Sequence, residues 1–279
     1  CNVSLSVHKG GKMVCHYCGY EQPRVTRCPV CGSKYISGFR AGTQQIEEAV
    51  KKMYPQARVL RMDMDTTRGK EDYEQILSAF ANHEADILIG TQMIVKGHDF
   101  PDVTLVGVIA ADLSLNMDDY HCGERTFQLL TQAVGRSGRG NKAGHAVIQT
   151  YQPEHYSIQA AAIQDYEKFY KEEMMYRMLL DYPPAAHMMT VFGACQDEEL
   201  LKKAMYYIEV FIRRVSPKEE LHMIGPASAS VGKVKDVYRQ VLHLKHTDIR
   251  FLTAVREKLE KYIEINSGFR KIYIQYDMM

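Results

Sequence analysis

The sequence contains no run of about 18 or more apolar residues, which excludes a membrane-spanning helix. It also has no Gly-x-x-x-x-Gly-Lys-Ser/Thr phosphate loop: Gly10-Gly11-Lys12 fails the pattern because Ser6 stands where the first glycine belongs. Without that loop the chain alone is not expected to hydrolyse a nucleoside triphosphate. It opens Cys1-Asn2-Val3, with no basic region leading into an apolar one, so no secretion leader is read and the expected compartment is the cytoplasm. A start at cysteine points to a fragment or a processed product. Charge of one sign is lacking too, with 35 Lys and Arg against 34 Asp and Glu. At 279 residues, 46% hydrophobic and 25% charged, the composition is that of an ordinary globular protein of about two domains.

Cysteines are few but unevenly placed. Five of the seven lie in the first 31 residues, as Cys1, Cys15-x2-Cys18 and Cys28-x2-Cys31. Cys15-His16-Tyr17-Cys18-Gly19 and Cys28-Pro29-Val30-Cys31-Gly32 are both knuckles, each with a glycine after the second thiol. Two such knuckles bring four sulfurs to one tetrahedral zinc, and in the absence of secretion signals this spacing favours metal over disulfides. Cys1 is left over, like the second half of a knuckle. Up to Arg40 there are six Lys or Arg against one Glu, a local +5 that hints at nucleic-acid contact.

From Thr43 the pattern changes to alternating helices and strands. Helices are predicted over Gln44 to Met53, Lys70 to Asn82 and Glu124 to Val134. Strands are predicted over Arg58 to Met62, Asp86 to Gly90, Val103 to Ile109 and Gly144 to Gln149. This alternation implies one α/β unit with buried strands in a parallel sheet covered on both faces. In such sheets ligands gather beyond the carboxyl ends of the strands. That rule picks out Gly90-Thr91-Gln92-Met93-Ile94-Val95-Lys96-Gly97-His98-Asp99-Phe100-Pro101. Thr91 and Gln92 suit a phosphate backbone, Lys96 adds charge, and Asp99 can accept from a ribose hydroxyl. A plain turn at Asp99 and a solvated Lys96 explain those residues equally simply.

Gln132-Ala133-Val134-Gly135-Arg136-Ser137-Gly138-Arg139-Gly140 sets two arginines three apart among three glycines at the end of a predicted helix. Glycine lets backbone approach a ligand, and arginine presents a planar charged fork to phosphate oxygens. A basic helix terminus with a glycine stop is the bland alternative.

Set together, these two stretches resemble motifs V and VI of superfamily 2 helicases. Further stretches narrow the likeness to the PriA family of replication-restart helicases. They are the cysteine knuckles, Gly42-Thr43-Gln44, Arg61-Met62-Asp63-Met64-Asp65-Thr66-Thr67, Ile87 to Ala111, Glu124 to Gln132, and Gln149-Thr150-Tyr151-Gln152-Pro153-Glu154-His155. The resemblance runs nearly end to end and covers the C-terminal part of such proteins. It implies a RecA-like helicase lobe, ATP with magnesium, 3′ to 5′ translocation on forked or single-stranded DNA, and contacts with single-strand-binding protein and other primosome proteins. By the same resemblance Arg139 is the arginine finger, Arg136 supports it, and Gln132 orients near the γ-phosphate. Gly97, Asp99, Gly135 and Gly138 line the nucleotide cleft, while Thr91, Gln92 and Lys96 hold DNA. The family's knuckles share two zinc ions, the outer two holding one and the inner two the other. Cys1, Cys15 and Cys18 then serve one ion, and Cys28 and Cys31 the other. The isolated chain has the alternative of a single zinc between its two complete knuckles. A non-enzymatic zinc-ribbon module that binds single-stranded DNA, or another superfamily 2 helicase, remains the alternative function.

The expected regions are a cysteine-rich segment over residues 1–38, the second helicase lobe over 39–180, and an α+β domain over 181–279. A long helix rich in Tyr, Met and Glu is predicted after Glu154, to about Leu180, and Tyr182-Pro183-Pro184 breaks it. Beyond lie strands at His187 to Ala194, Leu221 to Ile224, Tyr238 to Leu244 and Lys271 to Tyr276, and helices at Asp197 to Val215 and Thr247 to Ile263. Helices on one face of an antiparallel or mixed sheet follow. Asp197-Glu198-Glu199 imitates a Walker B element but reads as the start of an amphipathic helix. Lys233, Lys235, Arg239, Lys245 and Arg250, with Tyr238 among them, suit either a single strand of DNA or a solvated edge strand.

Overall fold

The computed structural model describes residues 5–8, 11–15, 17–34, 42–64, 66–67, 69–95, 100–117, 119–140, 142–216 and 221–279. The first of these carry β1 (Ser6–His8), β2 (Lys12–Val14) and β3 (Glu21–Pro23), an antiparallel three-stranded meander. Short strands with the Cys15–Cys18 knuckle between β2 and β3 fit the absence of helical periodicity here.

Next come α1 (Thr43–Met53), β4 (Val59–Met62), α2 (Lys70–Ala81), β5 (Ile87–Gly90) and a 3-10 turn at Gln92–Val95. Then follow β6 (Leu105–Val108), α3 (Asp112–Leu115), α4 (Cys122–Val134), β7 (His145–Ile148), α5 (Tyr156–Ala162) and α6 (Tyr166–Leu179). Each predicted strand is present and the pairing is parallel, but among the described residues it forms two separate pairs, β4 with β5 and β6 with β7. The expectation of buried strands in one sheet is corrected accordingly. Val108 and Ile148 face a cluster built from α3 to α6, whereas Leu105 and Val147, on the other face, are 64% and 60% exposed. Helices cover one face of this pair, so its strands alternate in burial. The single long helix expected after Glu154 is also corrected. It breaks at Gln164, which sits at φ 55°, and Asp165 restarts it by accepting a hydrogen bond from the Lys168 N–H at 2.9 Å.

A buried carboxylate ties the ends of β6 and β7 together. Asp112, 4% exposed, accepts from the Thr150 hydroxyl at 2.7 Å and from the Tyr151 N–H at 3.0 Å. Ala111 donates to the Gln149 carbonyl at 3.1 Å beside it. Burial pushes the Asp112 carboxyl up, but the Thr150 hydroxyl and the Tyr151 and Gln152 N–H groups bring it below its ordinary value.

The C-terminal part is built from β8 (His187–Cys195), α7 (Glu198–Val215), β9 (His222–Val234), β10 (Val237–His246), α8 (Ile249–Ile265) and β11 (Tyr273–Met278). The sheet is antiparallel throughout, in the order β11-β8-β10-β9. This βαββαβ connectivity is the ferredoxin-like split βαβ arrangement. Strand β9 runs ten residues past the predicted end at Ile224. The sequence reading stopped at Gly225-Pro226, where Gly225 takes φ 102°, yet pairing resumes beyond a register shift. Asp197 accepts from the Leu200 N–H at 3.0 Å and Glu198 and Glu199 pair with Lys202, so the pseudo-Walker stretch is a helix cap. Odd residues of β8 and even residues of β10 and β11 face both helices. Met189, Val191, Leu242 and Leu244 bury there against Met205, Ile208, Leu252 and Leu259. Gly193 lies on that face because a Cβ would stand 2.6 Å from the Met205 sulfur.

The Asp112 bonds generate a stability prediction. A lowered carboxyl contributes stability that is present above its unfolded value of about 3.9 and is lost as pH falls through the folded value. In urea melts, Asp112→Asn is expected to cost about 1–3 kcal/mol at pH 7. The gap between variant and parent should close as pH drops below about 4; a gap independent of pH contradicts the ionised role.

Candidate functional site

Helix α4 positions the two arginines. Thr126, Phe127, Leu130 and Ala133 form its buried stripe, and Phe127 stacks on Phe169 at 4.2 Å between ring centroids. The opposite side leaves Gln132 exposed. The helix also packs against the 3-10 turn Gln92–Val95 and against β6. Its last turn unwinds gradually: Gly135 donates to Thr131, Arg136 to Ala133 and Ser137 to Val134.

Glycine then becomes obligatory. Gly138 takes φ 71°, a left-handed conformation that side chains disfavour, and its N–H donates to the Val103 carbonyl at 3.0 Å. A Cβ on Gly144 would lie 2.2 Å from the Gly138 nitrogen, and one on Gly140 would lie 2.5 Å from the Pro101 carbonyl oxygen. The loop is thus clamped, backbone against backbone, onto residues 101–103 just ahead of β6. Arg136 is half-buried and Arg139 is exposed, its Nε donating to the Gly135 carbonyl at 2.6 Å. Two guanidinium groups carried on one clamped turn can neutralise an oxyanion.

Thr91 and Gln92 lie exposed at the carboxyl end of β5, where the strand rule places ligands. Gly90 permits that turn, since a Cβ there would stand 2.6 Å from the Met62 carbonyl oxygen. Lys96, Gly97 and Asp99 lie outside the described residues. The structure therefore brings together Gln132, Gly135, Arg136, Gly138 and Arg139 on one helix end and loop, with the Thr91–Gln92 turn against the same helix.

Two carboxylates escaped the sequence reading. Asp112 is one. Asp63, the residue that follows β4, is the other. It accepts from the Thr43 hydroxyl and from the Thr66 N–H at 3.0 Å, and lies 3.3 Å from the Arg61 Nε. Thr43 and Asp63 both belong to stretches quoted above without a role. A threonine at a helix start and an aspartate at a strand end were the available signal.

The knuckles share one backbone design. Cys15 donates to the Tyr20 carbonyl at 2.8 Å and Gly19 donates to Cys15, also at 2.8 Å. Cys28 and Ser33, and Gly32 and Cys28, repeat this at 2.8 and 2.9 Å. Gly19 and Gly32 take φ 75° and 69°. In each knuckle, N–H groups two and three residues on point at the first sulfur. The Tyr17 N–H, against burial and with help from Cys18, lowers the Cys15 thiol below its ordinary value; the Cys31 and Val30 N–H groups lower Cys28. A thiol prepared as thiolate is what a soft metal binds. Each knuckle supplies two cysteine sulfurs, which fits zinc in donor type. Among the described residues no group of three or more His, Cys, Asp or Glu side chains is placed to hold one metal ion. Cys1 lies outside the described residues.

The basic C-terminal segment divides. Lys233 donates to the Tyr238 hydroxyl at 3.2 Å and pairs with Asp236 at 3.1 Å. Lys245 is buried, donates to the Leu180 carbonyl at 2.7 Å and lies 3.4 Å from the Tyr182 ring centre. Tyr238 packs on the helix side of the sheet. These three do not form a continuous track for a strand; Lys235 and Arg239 stay at the surface.

Three family models match in succession. The PriA DNA helicase Cys-rich region (CRR) domain matches residues 1–23, the helicase conserved C-terminal domain matches 34–141, and the primosomal protein N C-terminal domain matches 178–279. The replication restart protein PriA of Bacillus subtilis is 42% identical over 100% of this chain and 34% of its own length. The PriA proteins of Synechocystis sp. and Borreliella burgdorferi are 40% and 34% identical, over 88% and 99% of this chain and 30% and 41% of theirs. This chain accordingly spans about a third of the length of these relatives. With a RecA-like lobe implied by the central match and family-specific matches on both sides of it, the chain belongs to the PriA family.

Proposed function

We propose that this chain is the zinc-binding segment, second helicase lobe and C-terminal domain of an ATP-driven DNA helicase that restarts stalled replication forks. The boundaries we assign are residues 1–38, 39–180 and 181–279. The observation that carries the reading is the clamped diarginine loop, whose backbone contacts hold Arg136 and Arg139 at one end of α4. ATP with magnesium supplies the phosphoanhydride bond whose cleavage drives the motor. Arg139 is the finger that stabilises charge developing on the transferred phosphoryl group, Arg136 supports it, and Gln132 orients beside them. Gly135 and Gly138 keep the backbone free of side chains next to the phosphates, with Gly97 and Asp99 on the nucleotide side. Thr91, Gln92 and Lys96 hold the DNA backbone. The sequence lacks a phosphate loop, so turnover requires a first lobe, and this chain alone is inactive. Single-strand-binding protein and other primosome proteins are the proposed partners.

Zinc is held by the knuckles. Cys15 and Cys18, with Cys1, serve one ion, and Cys28 and Cys31 serve another. Both pairs carry the N–H to sulfur bonds that favour a thiolate.

Two experiments test this reading. In the protein extended to the length of its relatives, Arg139→Ala is expected to leave ATP affinity within about threefold. DNA-stimulated hydrolysis should fall by roughly a thousandfold, as for other arginine fingers. Equal loss of binding and turnover contradicts the finger role. In the same protein, zinc release is titrated with a chelating dye: Cys15→Ser and Cys28→Ser should each release one ion and retain the other. Loss of all zinc in either variant means a single shared site.

A further inference from the structure

Helix α5 ends in a turn whose backbone favours glycine. The Gln164 N–H donates to the Ala161 carbonyl at 3.1 Å, and the Asp165 N–H donates to the Ala160 carbonyl at 2.9 Å. These two bonds close a Schellman motif with Gln164 as its left-handed residue, at φ 55°. Glycine is the usual occupant, because a Cβ there crowds the following carbonyl. His83, Asp181 and Asp236 share this conformation but belong to the residue types enriched in it; glutamine does not. Strained residues of this kind gather at functional sites, where the side chain has a task.

The Gln164 side chain meets Gly135. A Cβ built on Gly135 would stand 3.3 Å from the Gln164 Nε2 and 3.1 Å from the Thr131 carbonyl oxygen. The carboxamide therefore lies where a side chain at 135 would point. Helices α4 and α5 pack together, start to start and end to end. Near the start, a Cβ on Gly123 would stand 2.6 Å from the Tyr156 hydroxyl and 3.2 Å from the Ser157 Oγ. At the other end Gln164 closes on Gly135, the C-cap of α4. The Gly135 carbonyl also accepts from the Arg139 Nε at 2.6 Å. Gly135 thus has the glutamine against its Cα and the Arg139 guanidinium on its oxygen, with Arg136 next in the chain. Gln164 is exposed, so it adds nothing to the buried core of these helices.

We propose that Gln164 is a positioning residue for the diarginine turn. Its carboxamide seats the residue that ends α4, and so fixes the direction in which Arg136 and Arg139 leave toward a phosphate. The inference rests on the arginine-finger reading above and deepens it. A carboxamide suits this place because it is neutral. It does not compete with a phosphate for the two guanidinium groups, as a carboxylate would. A shift of about 1 Å in a group that acts on the transition state costs up to about a hundredfold in turnover. ATP affinity is spared, because the finger acts on charge that develops only in the transition state.

The test compares Gln164→Gly with Arg139→Ala in the protein extended to the length of its relatives. Glycine removes the carboxamide and also relieves the left-handed backbone, so the thermal midpoint of this chain should rise by about 2 °C. DNA-stimulated kcat should nevertheless fall by roughly tenfold to a hundredfold, with the KM for ATP within about threefold of the parent. A role in the helix turn alone predicts the raised midpoint with turnover unchanged. Gln164→Glu keeps the length but brings a carboxylate to the arginines, and its kcat should fall at least as far. In the Arg139→Ala protein, Gln164→Gly should change kcat by less than about twofold, because a positioning residue acts through the group it positions. Parental kcat in Gln164→Gly overturns the inference. So does a joint loss of KM and kcat with a lowered midpoint, and so do two substitutions whose effects multiply. If Arg139→Ala lowers turnover and Gln164→Gly does not, the finger reading stands and Gln164 alone is dismissed. If Arg139→Ala keeps parental turnover, the finger reading fails and the inference fails with it.

Discussion

The arrangement of the helicase-like lobe depends on one close approach of backbone to backbone. Gly138 and Gly144 are packed against each other, and Gly140 against Pro101, at separations where a Cβ would overlap a nitrogen or a carbonyl oxygen. The contact is made almost wholly by backbone atoms, so these positions leave no room for a side chain. Its consequence is that Arg136 and Arg139 leave a turn whose path is set from two directions. From one side, the buried stripe of α4 fixes the helix against α5 and α6. From the other, the glycine clamp fixes the loop to the start of β6. Long, flexible arginines placed on such a turn lose less freedom on engaging a phosphate than arginines on a mobile loop.

The knuckles apply the same economy with different chemistry. A left-handed glycine closes each turn, and the freed N–H groups face a sulfur instead of a carbonyl. The first thiol of each turn is held below its ordinary value, yet each knuckle has only two thiols. A tetrahedral ion needs four, so neither knuckle is a site by itself. Pairing is therefore a property of how knuckles meet, which local hydrogen bonding does not determine.

That distinction also separates what was legible in the sequence from what was not. The diarginine turn, the cysteine knuckles and the order of the C-terminal elements are local patterns: glycine positions, thiol spacing and hydrophobic periodicity report them directly. Asp112 was silent because its partners, Thr150 and Tyr151, are about forty residues away and meet it only when β6 and β7 pair. Parallel strands were legible as elements, but their grouping into two pairs was not, since a four-residue apolar run carries no record of its neighbour. The break between α5 and α6 turned on Gln164 and Asp165, two polar residues inside an otherwise helical run.

The C-terminal sheet shows the same limit. Basic residues clustered along one stretch of sequence suggest one basic surface, but a strand sends alternate side chains to opposite faces. Tyr238 and Arg239 are neighbours in sequence and lie on opposite sides of the sheet. Lys245 shares a face with Arg239 but is consumed by the Leu180 carbonyl, and burial lowers its pKa. The surface that Arg239 does join is completed by Phe192 and Tyr273, from strands 47 positions before it and 34 after it. Antiparallel pairing, not sequence proximity, assembles the cation and the aromatic rings on one face. Ala194, paired with Arg239 on one side and with Tyr273 on the other, keeps that face flat: a larger side chain in that row would fill the space that separates them.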